Sequence, residues 1–365
     1  MANLTVLDFE KSIAELDQWL ERLRQISRDP DNSQNTPELA GQIAKLEQDR
    51  RAILEGVFAN LTPWDKVLLA RHEKRPYTLD YINAITDGFE ELHGDRMFAD
   101  DPAIVSGIGW IRVPIARTDT ASTEQSGGES DVPPVKIPEP YERVAVAIVG
   151  HQKGRDIKTR QLRNFGYARP EGYRKAVRVM KLAAKFGMPI ITLIDTPGAA
   201  ADVAADERGV SEAIASAMFE MATLPVPIVS VVIGEGGSGG ALAIGVADRV
   251  LMLEYSVYSV IAPEGCAAIL WRDPEKKSDA AQALNLTAQR ALDLKIIDAV
   301  VSEPLGGAHR DWAEAAENVR HAVARQLADL RGLTGEQLID GRYERFRNLG
   351  TFTTAQPKKS SSNGA

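Results

Sequence analysis

The sequence predicts an α/β protein that carries an N-terminal helical hairpin. Two patterns support this. Short apolar runs alternate with segments of helical period through the middle of the chain, and two stripes of apolar residues spaced three and four apart lie within residues 1–60.

The first stripe is Phe9, Ile13, Leu16, Leu20 and Leu23, and the second is Leu39, Ile43, Leu46, Ile53 and Val57 with Arg50 in one slot. Pro30, Asp31, Asn32 and Pro37 separate them, so residues 1–60 read as an αα-hairpin, an arm that packs on a neighbouring domain or subunit. Beyond Arg75, Thr78 is a candidate N-cap for a helix through about Leu92. Residues 104–113 and 143–150 read as strands. Between them, 114–140 holds five of the nineteen prolines, the pair Gly127-Gly128 and little apolar content, too little to offset the entropy of ordering. It is expected to be a disordered insertion, and 349–365 a flexible tail. Further on, strands are predicted at 190–195, 228–233 and 250–254, and helices at 207–223 and 240–247. The strands are apolar throughout, as in a sheet covered on both faces. On this reading 61–348 is one catalytic domain, although 365 residues allow roughly two domains by length.

Composition narrows the function. The chain is 44% hydrophobic and 26% charged, which places it among folded globular proteins. Its net charge of -8 has the wrong sign for a protein that mainly binds nucleic acid. No stretch reaches the length of a membrane span, and the first twelve residues lack the apolar core of a signal peptide. The single cysteine, Cys266, excludes an internal disulfide and a Cys-rich zinc site, so a reducing cytoplasmic location and no metal in this chain are expected.

Chemistry concentrates in Gly234-Glu235-Gly236-Gly237-Ser238-Gly239-Gly240-Ala241, between a predicted strand and a predicted helix. A P-loop would need Lys and Ser or Thr after Gly239, where Gly240 and Ala241 stand. A dinucleotide fingerprint fits Gly234, Gly236 and Gly239, with Glu254 near the spacing of a ribose ligand, but the following helix is short for that fold. The loop also suits an oxyanion hole with the Gly239 and Gly240 amides as donors, or a tightly packed turn with no ligand. A second turn, Asp195-Thr196-Pro197-Gly198-Ala199, follows the preceding strand at the end where α/β folds place ligands.

Residues 151–185 hold five Lys and six Arg against Asp156 and Glu171, a net of +9. Lys175, Arg178, Lys181 and Lys185 recur at helical spacing as a solvated face would, whereas the preceding cations suggest an anionic ligand. The five histidines have no metal spacing, and no nucleophile elbow is present. Backbone amides and cations without a protein nucleophile suit a substrate that brings its own leaving group and needs an enolate or ureidate oxygen stabilised.

Six blocks, in order, carry a resemblance. His151-Gln152-Lys153-Gly154-Arg155, Arg163-Asn164-Phe165-Gly166, Pro170 to Ala176, Asp195 to Ala199, Gly234 to Ala247 and Pro304 to Arg310 together resemble the carboxyltransferase alpha subunit of bacterial and plastid multisubunit acetyl-CoA carboxylase. The resemblance implies a crotonase-like fold of repeated ββα units. It implies an α2β2 carboxyltransferase that moves a carboxyl group from carboxybiotin to acetyl-CoA, giving malonyl-CoA, in the cytoplasm or a plastid stroma. The implied partners are the beta subunit, which would hold the zinc, the biotin carboxyl carrier protein and biotin carboxylase. Carried over by position, Gly239 and Gly240 are the amide pair for the biotin ureido oxygen, Gly236 and Gly237 shape their loop, and Gly198 and Ala199 lie near the biotin. Arg174, Lys153 and Arg163 are candidate cations for the transferred carboxylate or the CoA phosphates. The chain departs from the family at Ala200-Ala201-Asp202 and at Val210, where Tyr-Pro-Gly and Gln are usual. A nicotinamide-dependent oxidoreductase using Gly234 to Gly239, or a non-catalytic assembly subunit, are the alternatives.

Overall fold

The structure, a computed structural model, describes residues 6–28, 37–115 and 140–350. All of the predicted insertion but its ends, and the tail beyond 350, lie outside the described residues.

One sheet of eight strands forms the centre. The strands are β1 (Phe89–Glu91), β2 (Ile104–Pro114), β3 (Tyr141–His151), β4 (Ile190–Thr196), β5 (Ile228–Gly237), β6 (Arg249–Leu253), β7 (Val257–Ser259) and β8 (Ala299–Val301). Their order is β1-β2-β3-β4-β5-β6-β8, with β7 also paired to β5. The β1–β2 and β2–β3 pairs are antiparallel and the rest are parallel.

Both faces are covered, which is why the central strands read as unbroken apolar runs. Ile190, Ile194, Ile228 and Val232 pack against the helices Pro170–Lys185 and Val210–Thr223. The alternate residues Ile191, Leu193, Val229 and Val231 pack against Thr78–Ile85 and Trp312–Leu330. Among the described residues no helix is long and apolar enough to cross a membrane.

Three predicted helices change. The helix at Thr78 ends at Ile85, because the chain turns at Gly88 (φ 87°) and Phe89 pairs with Gly109 of β2. Its N-cap residue is Tyr77, whose N–H donates to Asp80 Oδ2 at 2.7 Å, while the Thr78 hydroxyl donates to the His151 carbonyl at 2.5 Å. The helix predicted over 207–223 divides at Gly209 (φ 76°) into Val203–Glu207 and Val210–Thr223. The helix predicted over 240–247 is only Ser238–Leu242. After it, the buried Thr192 hydroxyl donates to the Ile244 carbonyl at 2.7 Å and lies 2.6 Å from Ser230 Oγ, a tether to the sheet that periodicity does not reveal.

The arm forms as Lys11–Arg28 and Pro37–Ala59. Ile13, Leu54 and Phe58 bury against Leu69 and Tyr255 of the following chain. A polar latch sits beside this cluster. Glu10 accepts from Arg310 at 2.9 and 3.1 Å, and its Oε1 lies 3.0 Å from His309 Nε2. Burial pushes the Glu10 carboxyl up, and His309 and Arg310 more than reverse this, holding it below the ordinary range. A carboxyl depressed in the folded state contributes stability above its unfolded pKa, near 4.3, and that contribution is lost as pH falls through the folded value. Protease sensitivity of residues 6–28 is therefore expected to rise below about pH 4.5. In Glu10→Gln the arm is expected to loosen already at pH 7, by about 1–3 kcal/mol measured by hydrogen exchange. Equal protection of the arm in both proteins would refute the latch.

At the other end, Arg342 of the helix Gly335–Arg347 is 1% exposed and fully engaged. It donates to Asp248 twice at 3.0 Å and to the carbonyls of Met221, Leu224 and Val226. This anchor seats the C-terminal helix against the segments that lead into β5 and β6, and one turn further Phe346 joins the wall of a cavity that Ser238 and Gly239 also line.

Candidate active site

The carboxyl ends of β3, β4 and β5 bring the predicted loops together. Past Ile194 the β4–β5 register shifts, so that Thr196 pairs with Gly236. The Thr196 hydroxyl accepts from the Gly198 N–H at 3.0 Å and donates to the Gly166 carbonyl at 2.7 Å. Ala199 bridges Ala168, and the Ala200 N–H donates to the Ala168 carbonyl at 2.9 Å. The two turns then meet without room for a side chain. A Cβ on Gly240 would stand 2.6 Å from the Gly198 carbonyl carbon and 2.7 Å from the Ala199 nitrogen, and one on Gly237 would collide with the Pro197 carbonyl. Gly236 is closed off by the Tyr258 ring, whereas a Cβ on Gly239 would meet only Ile214, at 3.7 Å.

A buried charge network lies under these turns. Lys153 Nζ bonds Asp195 at 2.7 Å and Glu235 at 2.8 Å, and Arg71 bonds Glu235 at 2.7 Å and Glu264 at 2.5 Å. Asp195 also accepts from the Glu235 N–H at 2.9 Å, so one carboxylate at the end of β4 holds both the backbone of β5 and the cation. Burial pulls the Lys153 ammonium down, but Asp195 and Glu235 outweigh it and hold the group above its ordinary value. Burial also pushes both carboxyls up. At Asp195 it prevails over Lys153, leaving a raised pKa, while at Glu235 the combined pull of Lys153 and Arg71 leaves it lowered.

Of the three cations expected to face a ligand, only Lys153 reaches the glycine turns, and its ammonium is engaged by Asp195 and Glu235. Arg163 donates to the Pro102 carbonyl at 2.7 Å. Arg174 is held by Asp95 at 2.9 Å and by Glu171 at 3.1 Å. Much of the basic window is thus internal wiring. Glu171 also takes Arg208 at 2.7 Å, and Arg169 takes Asp202 at 3.1 Å, so the segment that departs from the family pattern is pinned by charge pairs.

His151, at the end of β3, has no exposed surface, and its ring lies against the Gly240 backbone. Burial, aided by the Lys153 charge, outweighs a hydrogen bond to the Gly240 backbone and pulls its pKa down to about 3, so the ring is neutral at physiological pH. Glu254 accepts from the Glu303 N–H at 3.2 Å. With that bond and a helix of five residues after the glycine turn, the dinucleotide geometry is not formed.

Beside Gly239 opens a cavity of about 390 Å³, lined by Ser238, Leu242, Tyr258, Val260 and Phe346 among others. Sequence reasoning missed Arg71, Glu235 and the Phe346 wall. Arg71 pairs across 164 positions, and no local spacing could have marked it.

The sequence family described as "Acetyl co-enzyme A carboxylase carboxyltransferase-like" matches residues 6–116 and 139–350, leaving out most of the proline-rich stretch. The chain is 49% identical to the acetyl-coenzyme A carboxylase carboxyl transferase subunit alpha of Methylococcus capsulatus, over 96% of this chain and 98% of that protein. It is also 49% identical to the protein of the same name from Geobacter metallireducens, over 96% and 99%. Among solved structures, transcarboxylase 12S superposes with a TM-score of 0.50 at 17% identity, covering 78% of this chain and 44% of that one. That likeness is one of fold, and the fold is the crotonase-like one that the resemblance implied. The chain belongs to the acetyl-CoA carboxylase carboxyltransferase family, on the alpha-subunit side of it.

Proposed function

We propose that the chain works with a beta subunit, as α2β2, to move a carboxyl group from carboxybiotin on a separate carrier protein to acetyl-CoA, giving malonyl-CoA. One observation carries the site assignment. Gly240 is packed on Gly198 and Ala199 so closely that only a glycine fits, which fixes a pair of adjacent amides at the carboxyl end of the parallel strands. The nearby cavity, apolar on most of its wall and polar where Ser238 and Gly239 meet it, suits a ring with one polar edge, as biotin has.

Carboxybiotin supplies the carboxyl group and, once that has left, the base for the acetyl methyl group. The chain's own part is to hold the Gly239 and Gly240 amides where negative charge develops on the ureido oxygen, so that no reorganisation is needed as it forms. Gly236 and Gly237 let β5 run close to Pro197, and Lys153 locks β4 to β5 from below. We assign Lys153 to positioning these loops, Arg163 and Arg174 to holding neighbouring segments at Pro102, Asp95 and Glu171, the metal to the beta subunit, and carboxylation of the biotin to a separate biotin carboxylase. A cytoplasmic or stromal location accords with that chemistry.

The direct test is to mix the chain with its beta partner and measure malonyl-CoA-dependent carboxylation of free biotin. Activity is expected only when both subunits are present. A folded pair with none would overturn the proposal.

A further inference from the structure

Residues 236–240 read Gly-Gly-Ser-Gly-Gly, and Ser238 is the position among them that carries a side chain. It is also the position among them with a left-handed backbone, φ 51°. There a Cβ is penalised and glycine is not. A run built only for close backbone approach would place glycine at this position first, so the side chain needs a reason of its own.

The fold around it supplies none. Ser238 is exposed, and among the described residues no hydrogen bond holds its hydroxyl. It lines the 390 Å³ cavity beside Gly239. Two other polar residues on that wall are engaged: Ser259 donates to the Ile261 carbonyl at 2.8 Å, and Arg345 to the Ile296 carbonyl at 2.8 Å and to Asp298. The cations that the sequence suggested for the transferred carboxylate bond acceptors of the chain itself.

We infer that the Ser238 hydroxyl is a binding residue for carboxybiotin, donating a hydrogen bond to the carboxyl group in transfer while the adjacent amides hold the ureido oxygen. This rests on the function proposed above. The hydroxyl is a neutral donor to a charged acceptor in a site that closing subunits would shield from water, so its loss is expected to matter more than that of an ordinary surface serine.

The test uses the full chain with its beta subunit, malonyl-CoA-dependent carboxylation of free biotin, and the variants Ser238→Gly and Ser238→Ala. Both are expected to lose about 10- to 100-fold in kcat/KM for biotin with an unchanged KM for malonyl-CoA. Ser238→Gly should melt at the same temperature as the parent or higher, because it relieves the left-handed φ. A stabilised protein with impaired biotin use is a combination that a purely structural serine would not produce. Wild-type kcat/KM in Ser238→Gly, or a loss shared equally by malonyl-CoA, would overturn the inference. Gly240→Ala, assayed alongside, separates the two levels. If it too retains full activity, the glycine pair has been misassigned, whereas loss there and none in Ser238→Gly refutes the role of the serine alone.

Discussion

Carboxyl transfer in Gly240→Ala is expected to fall by about 10²- to 10³-fold, the loss typical of removing one oxyanion donor. The adjacent change, Gly239→Ala, should cost far less. The contrast follows from what each new methyl group would meet. At Gly240 it lands 2.6 Å from the Gly198 backbone and 2.7 Å from that of Ala199, and neither can move without breaking the Thr196 hydrogen bonds and the Ala199–Ala168 bridge. The turn must shift, and the amides shift with it. At Gly239 the methyl group meets the Ile214 side chain at 3.7 Å, an ordinary contact. The assay is biotin carboxylation by each variant with the beta subunit, with circular dichroism and a pull-down confirming fold and assembly. Equal activity of the two variants would remove the packing argument, and full activity with intact assembly in Gly240→Ala would favour a scaffold role for the chain.

In Lys153→Met the expected result is a loss of about 3–5 kcal/mol of stability at neutral pH, because two buried carboxylates lose the cation between them. Asp195 is 1% exposed on its side chain and Glu235 11%, so water cannot replace the ammonium. Of the two carboxylates, Glu235 keeps a cation in Arg71, which it shares with Glu264, and Asp195 keeps none. The penalty is also expected to depend on pH. Asp195 is already raised by burial in the parent protein, and without Lys153 it rises further. A carboxyl raised in the folded state favours the folded protein below its unfolded pKa, and the advantage is lost as pH rises through the folded value. The variant should therefore recover part of its deficit at pH 5, as Asp195 takes up a proton. Glu235, lowered in the parent, has the opposite sign, but its contribution is lost only below the unfolded value near 4.3, so it stays in place in the parent over the range where the variant gains. Urea unfolding of both proteins at pH 5 and pH 7.5 measures this. A deficit that is the same at both pH values would show that Lys153 contributes through packing alone.

Residue patterns along the chain were enough for the layered α/β class, the two-helix arm and the five longest strands, because burial on both faces leaves unbroken apolar runs and helix packing leaves a stripe. They were enough, too, for the glycine turn and the Thr196–Ala199 turn, since both follow strands and local composition marks a turn wherever it lies in the fold. The family followed from six short blocks in order.

Where elements stop was decided elsewhere. The helix predicted to reach Leu92 ends at Ile85 because β2 claims Phe89, and the helix predicted over 240–247 ends at Leu242, ahead of the Thr192 tether on Ile244. The roles of the cations were decided there as well. Five Lys and six Arg in one window looked like a surface for an anion, yet Lys153, Arg163 and Arg174 find Asp195, Pro102 and Asp95 in the folded chain. A charge count is additive along the sequence, but whether a charge faces solvent, ligand or a buried partner depends on contacts between residues far apart in it. Arg71 and Glu235 meet across 164 positions, and only the folded chain brings them together beneath the glycine turn.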